Sequence, residues 1–196
     1  MKPFSLIFII LFFIYGQNSF AQLKKVNSSE QNSIQTLYLA GGCFWGMQDL
    51  LRKFKGVIST EVGYMGDKAL TVNYDLVKNG KTKFAETVKV DFDIKKTSVE
   101  EVLKYFFKIH DPTTLNCQGN DVGSQYRSVI FYTTENQKII AQSLFKMIEA
   151  KKIFKSQLTT QLLEAGRWYK AEEIHQDYLL KNPNGYTCHF ERKINF

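Results

Sequence analysis

Cysteine is scarce in this chain: 196 residues hold three, Cys43, Cys117 and Cys188. An odd number cannot close into a purely structural disulfide framework in an exported chain, and the lack of any Cys-x-x-Cys pair argues against a zinc site. Thiol chemistry fits better than staples. Long hydrophobic runs are nearly missing too. The one present, Phe4 to Tyr15 behind Lys2, falls short of the roughly 20 apolar residues of a membrane span. It ends at Ser19-Phe20-Ala21, which offers small residues for cleavage, so residues 1–21 read as a secretory signal peptide. No cysteine follows it to carry a lipoprotein acyl chain. The expected mature chain starts near Gln22 and is exported, periplasmic or secreted, without a membrane anchor. Blocks of like charge are also absent. The formal net charge is +7, yet the lysines are scattered, at most two together as in Lys95-Lys96, which points to solvated faces and away from nucleic acid.

What remains is a globular composition, 44% hydrophobic and 14% aromatic, long enough for one full core. After a polar, serine-rich lead-in over 22–33, the chain is organised around Ala40-Gly41-Gly42-Cys43-Phe44-Trp45-Gly46. Alternation over Ile34 to Ala40 predicts a strand; Phe44, Met47, Leu50, Leu51 and Phe54 at helical spacing predict a helix that runs to Gly56 with Lys53 and Lys55 in its last turn. Cys43 then sits at a helix N-terminus, where unpaired N–H groups and the macrodipole favour a thiolate over a thiol. The glycines free the backbone to turn tightly, and the two aromatics read as a pocket wall.

Further strands are expected over Val57–Tyr64, across Val88, Val90 and Phe92 with Glu86 upstream on the same face, and over Ser128–Tyr132. Ser98 with Glu101 forms a capping box, Thr134 caps a further helix, Leu158–Leu163 reads as a fifth strand and Ala171–Leu180 as a last helix. Thr113–Gln125 is a long glycine-rich loop. The order strand, helix, strand, strand, helix, strand predicts an α+β fold: a two-layer sandwich with a ferredoxin-like split βαβ core and a C-terminal helical and coil extension, residues 34–196 forming one domain.

The segments GGCFWGMQDL, VGYMG, KTKFAETVKV, HDPTTLNCQGNDVGSQYRS and AEEIHQDYLLKNPNGY together resemble the peptide methionine sulfoxide reductases of the A type over essentially all of residues 35–190. The resemblance implies thiol-dependent reduction of methionine S-sulfoxide without metal or cofactor. Cys43 is then the nucleophile that takes the oxygen as a sulfenic acid. Glu86 is the proton donor, its pKa raised by an apolar setting, and Tyr64 and Tyr126 are the phenols that bond the same oxygen. Phe44 and Trp45 would hold the substrate methyl group and Asp121 its backbone or amino nitrogen. Cys188 is the expected resolving thiol, with Cys117 as competitor, and a thioredoxin-like dithiol the expected reductant. The chain departs from the family pattern at Thr82-Lys83-Phe84-Ala85-Glu86, which lacks a glycine and a histidine, at Asp67, at Cys117 and at Ile174. The rival readings are a cysteine hydrolase using Cys43 and His175, and a binding module in which Cys43 is inert.

Overall fold

Eight residues of alternating burial, Ile34–Gly41, form β1, and the computed structural model describes the chain from residue 33 to residue 196. The expected signal segment 1–21, and all but the last residue of the lead-in, lie outside the described residues. Residues Gln35–Phe196 make one compact unit.

The period-two pattern delivers the strands. β2 is Val57–Met65, β3 Ala85–Asp93 and β6 Ser128–Tyr132, with a two-residue hairpin of β4, Cys117–Gln118, and β5, Asp121–Val122, before it. β7, Gln161–Glu164, runs parallel to β6, and β8, Tyr169–Lys170, pairs with β2. The sheet order β7-β6-β1-β3-β2-β8 contains the split βαβ order in its four inner strands.

Alternation also sorts the side chains onto two faces. Leu37, Leu39, Val62, Tyr64, Val88, Val90, Phe92 and Ile130 face the helical layer. Ala40, Met65, Ala85, Val129 and Phe131 form a smaller cluster on the other face, against which Tyr38 and Trp168 pack. The helices α1 (Phe44–Leu51), α3 (Val99–Ile109) and α4 (Glu135–Ala150) cover the first face with Met47, Leu51, Val102, Phe106, Phe107, Leu144 and Ile148. A short α2, Tyr74–Lys78, lies between β2 and β3 with Asn73 as its cap. The capping box of α3 is complete: Glu101 N–H donates to Ser98 Oγ at 3.2 Å and Ser98 N–H to Glu101 Oε2 at 2.9 Å. Such caps contribute about 1 kcal/mol each.

Two element expectations fail. The first helix stops at Leu51, a turn before Gly56, so Lys53 and Lys55 lie in the following turns. Ala171–Leu180 is not a helix. It is a series of turns ending in a single helical turn α5, Tyr178–Lys181, entered through Asp177 at φ 54°. The reason is a side chain imitating a strand. Gln176 accepts from Val62 N–H at 3.0 Å and donates to Val62 O at 2.8 Å and Ala171 O at 3.0 Å, which ties the segment to β2 in place of helical bonds.

Candidate active site

Cys43 is the N-cap of α1, reached through Gly42 at φ 111°, a conformation that only glycine adopts without strain. Glu86 belongs to the alternation of β3 that points at the helices, so its carboxyl lies beneath the start of α1. There it accepts Phe44 N–H at 3.0 Å. Tyr64 is its cross-strand neighbour on β2.

Burial sets the electrostatics. Glu86 is 2% exposed, and desolvation, against the Phe44 N–H bond, pushes its pKa up to about 8, so it is largely neutral at pH 7. The thiolate expectation fails for the same reason. Cys43 is 7% exposed, and its pKa is raised first by burial and then by the charge of Glu86; the Trp45 N–H at the helix start pulls it down but does not win. The sulfur is nearly covered, not open at a pocket mouth, and it keeps its proton.

Three phenols surround this pair. Burial and the nearby Glu86 and Asp121 charges raise the pKa of Tyr126 and take that of Tyr74 up to about 12. Tyr64 is raised by burial and by its bond to Glu172, to which its O–H donates at 2.8 Å. All three are therefore protonated donors at neutral pH. Glu172 also accepts Tyr74 N–H at 2.9 Å, and these bonds, against burial, hold it below the usual carboxylate range. The sequence reading assigned no role to Tyr74 or Glu172. Tyr74 sits in an irregular stretch without periodicity, and the signal for Glu172 was the AEEIHQ segment itself.

The aromatics are placed differently from an open wall. Phe44 is 1% exposed, a core residue packed against Tyr64 and His175. Trp45 is half-buried; its ring stacks on Tyr178 at 3.8 Å and its Nε1–H donates to His175 Nδ1 at 3.2 Å. His175 therefore orients Trp45, and its Nδ1 is not available as a base for Cys43, which removes the hydrolase arrangement.

The chain end completes the site. An extended tail crosses the glycine-rich turn, where a Cβ on Gly42 or Gly46 would strike His189. It lays Cys188 on the active loop: the Cys188 sulfur accepts Cys43 N–H and donates its proton to Asp121 Oδ2 at 3.2 Å. Burial and that carboxylate push Cys188 up to about 12. Cys117 is turned instead toward its own hairpin, Sγ to Gly119 O at 3.6 Å. All three cysteines are free thiols. Among the described residues no group of three or more His, Cys, Asp or Glu side chains is arranged to hold a metal ion.

The family model described as peptide methionine sulfoxide reductase matches residues 35–195. Peptide methionine sulfoxide reductase MsrA 1 of Mesorhizobium japonicum is 48% identical over 160 residues, 82% of this chain and 91% of that one. Mxr1 from Saccharomyces cerevisiae in reduced form superposes with a TM-score of 0.76 at 35% identity, over 83% of this chain and 94% of Mxr1. Mxr1 in complex with Trx2, at 22% identity and a TM-score of 0.56 over 83% of this chain and 92% of that one, shares the fold. On the match to the family model and the extent of these likenesses, the chain belongs to the peptide methionine sulfoxide reductase family.

Proposed function

We propose that this chain reduces methionine S-sulfoxide in peptides by attack of Cys43 on the sulfoxide sulfur. The observation that carries the reading is a neutral buried carboxyl, Glu86, hydrogen-bonded by the residue next to a nucleophilic thiol. As sulfur attacks sulfur, Glu86 gives its proton to the sulfoxide oxygen and collects the proton of Cys43. The thiol thus ionises only when a substrate is present to take the charge. Tyr126, Tyr74 and Tyr64 supply further donors to that oxygen, Tyr64 by exchanging Glu172 for the substrate. Oxygen passes to Cys43 as a sulfenic acid and methionine leaves. Trp45, backed by Phe44, meets the methyl group, and Asp121 the substrate nitrogen.

Cys188 then displaces the oxygen of Cys43–SOH as water, leaving a Cys43–Cys188 disulfide. Mxr1 is known in complex with Trx2; we carry that to this chain as reduction of the disulfide by a thioredoxin-like dithiol. The N-terminal sequence supports an exported enzyme that repairs oxidised exported proteins, a point checked by sequencing the N-terminus of the mature protein.

The test is stereochemical. With dithiothreitol as reductant, the protein should consume the S epimer of a methionine sulfoxide peptide and leave the R epimer, and Cys43→Ser should abolish the reaction. Consumption of the R epimer alone would sink the assignment.

A further inference from the structure

His189 follows the tail cysteine, and no step above uses it. It is 7% exposed and fixed at both ring nitrogens. Nε2 lies 2.8 Å from Gly41 O, and Nδ1 lies 3.4 Å from Cys188 Sγ. A carbonyl oxygen can only accept, so Nε2 carries the hydrogen. In a neutral imidazole that leaves Nδ1 as a bare acceptor, and it faces the sulfur.

The ring is neutral at working pH. Burial pushes its pKa down to about 4, against the Gly41 bond and the Asp121 charge that favour the cation, with Arg192 of its own tail adding to the downward push. His110, at the end of α3, is the other histidine within electrostatic reach and is itself pushed down to about 3 by burial.

The resolving step needs a proton acceptor at this point. Cys188 must lose its proton to attack the Cys43 sulfenic acid, yet its pKa stands near 12. Besides the Cys43 N–H and the Tyr186 hydroxyl, whose bonds to the sulfur lower its pKa, two groups touch the thiol and act oppositely on its proton. Asp121 is a carboxylate, and its charge raises the thiol pKa, so it holds the proton on sulfur. A neutral imidazole that takes the proton becomes a cation beside the new thiolate and stabilises it. His189 is also anchored on Gly41, two residues from the sulfur under attack, and is bonded in sequence to the sulfur that attacks.

Resting on the reading of Cys188 as the resolving thiol, we infer that His189 is the base of the second half-reaction: its Nδ1 takes the Cys188 proton as Cys188 Sγ bonds to Cys43 Sγ. The Cys43 S–O bond breaks, and the displaced hydroxide takes a proton from solvent to become water, matched by the proton that His189 returns to solvent. In sum a thiol and a sulfenic acid become a disulfide and water, with no other oxidant or reductant. His189 ends the step ready to release its proton.

The experiment is a single turnover without external reductant on the full chain, with methionine release and Cys43–Cys188 disulfide followed separately. His189→Gln keeps an amide N–H for Gly41 O and removes the base. Relative to methionine release, its disulfide formation should slow by about a hundredfold or more. Its rate should also rise about tenfold per pH unit as hydroxide takes over, where the wild-type step is flat between about pH 6 and about pH 8. Disulfide formation at the wild-type ratio with a flat pH profile overturns the inference.

A second measurement needs no variant. Nitrogen-15 NMR of the histidines in the unaltered protein should show His189 protonated at Nε2 and bare at Nδ1; the opposite tautomer overturns it equally. A wild-type protein that releases no methionine, or that closes Cys43 on Cys117, sinks the underlying reading and this inference with it, and shows so before any substitution is made.

Discussion

At Glu86 a single side chain reconciles two demands. It must be buried to hold a proton at neutral pH, and it must still bond to the loop that carries the nucleophile, which it does through Phe44 N–H. Glu86→Gln preserves that bond, because an amide oxygen accepts as well as a carboxyl oxygen, but it has no proton to give to an oxyanion. The rate of methionine formation should drop by about a hundredfold to ten-thousandfold, measured as the single-turnover burst. A variant with an unchanged burst would leave the proton to the three phenols. The raised pKa of Glu86 was legible only through the family resemblance, which sets the carboxyl beside Phe44 and Trp45; composition alone reads it as a surface carboxylate at a strand edge. The state of Cys43 was not legible. Its helix start argues for a thiolate, whereas what raises it is first its burial in the packed site and then the charges of Glu86 and Asp121, which arrive from β3 and β5 at long sequence separation.

At the scale of elements, the last turns before α5 are held by two glutamines. Gln176 bridges Val62 and Ala171, and Gln48 of α1 accepts Asp177 N–H at 2.9 Å while donating to Thr60 O at 3.3 Å. This segment carries Glu172 and His175, so it sets the positions of Tyr64, Tyr74 and Trp45. Gln176→Ala leaves the buried Val62 N–H unpaired, while Val62 O keeps the Ala171 N–H at 3.0 Å, and an orphaned buried donor costs about 1–3 kcal/mol. The expected outcome is faster amide exchange over residues 171–177 and weaker substrate binding, with exchange in α3 unchanged. Equal protection throughout would show that the segment is held by other contacts. Sequence periodicity read these residues as a helix because it counts apolar spacing, and a side chain that pairs with a distant strand leaves no trace in spacing. The four inner strands and the capping box of α3, whose causes are local, were read correctly, whereas the strand expected over Leu158–Leu163 lies at Gln161–Glu164.

For the whole molecule, three buried titratable groups shape stability against pH. Glu86 loses its proton near 4.5 when unfolded but near 8 when folded, so the folded state binds more protons between those values. Its contribution is complete below 4.5 and declines as pH rises, by about 1.4 kcal/mol per unit. His110 and His189 act in the other direction: their pKa values fall from 6.5 to about 3 and about 4, so the stability they lend is present above 6.5 and lost as pH falls toward those values. Two histidines outweigh one carboxyl on the acid side. Stability from these groups therefore peaks near ~6.5 and falls both ways, and urea unfolding across pH should trace that dome. Glu86→Gln should flatten the alkaline limb and steepen the acid limb between about 4.5 and about 6.5, where Glu86 opposes the two histidines. A limb that persists in the variant would assign it to other groups.

The tail crossing has a mechanical meaning as well. Gly185 N–H closes a turn onto Asn182 O at 2.8 Å, and Arg192 N–H is moored to Lys108 O at 2.9 Å. Cys188 hangs on the stretched span between two fixed pegs. The number of residues from one peg to the other works as a ruler that decides which side chain reaches the oxidised sulfur. Adding or deleting one residue there would keep every chemical group and still aim the wrong side chain inward.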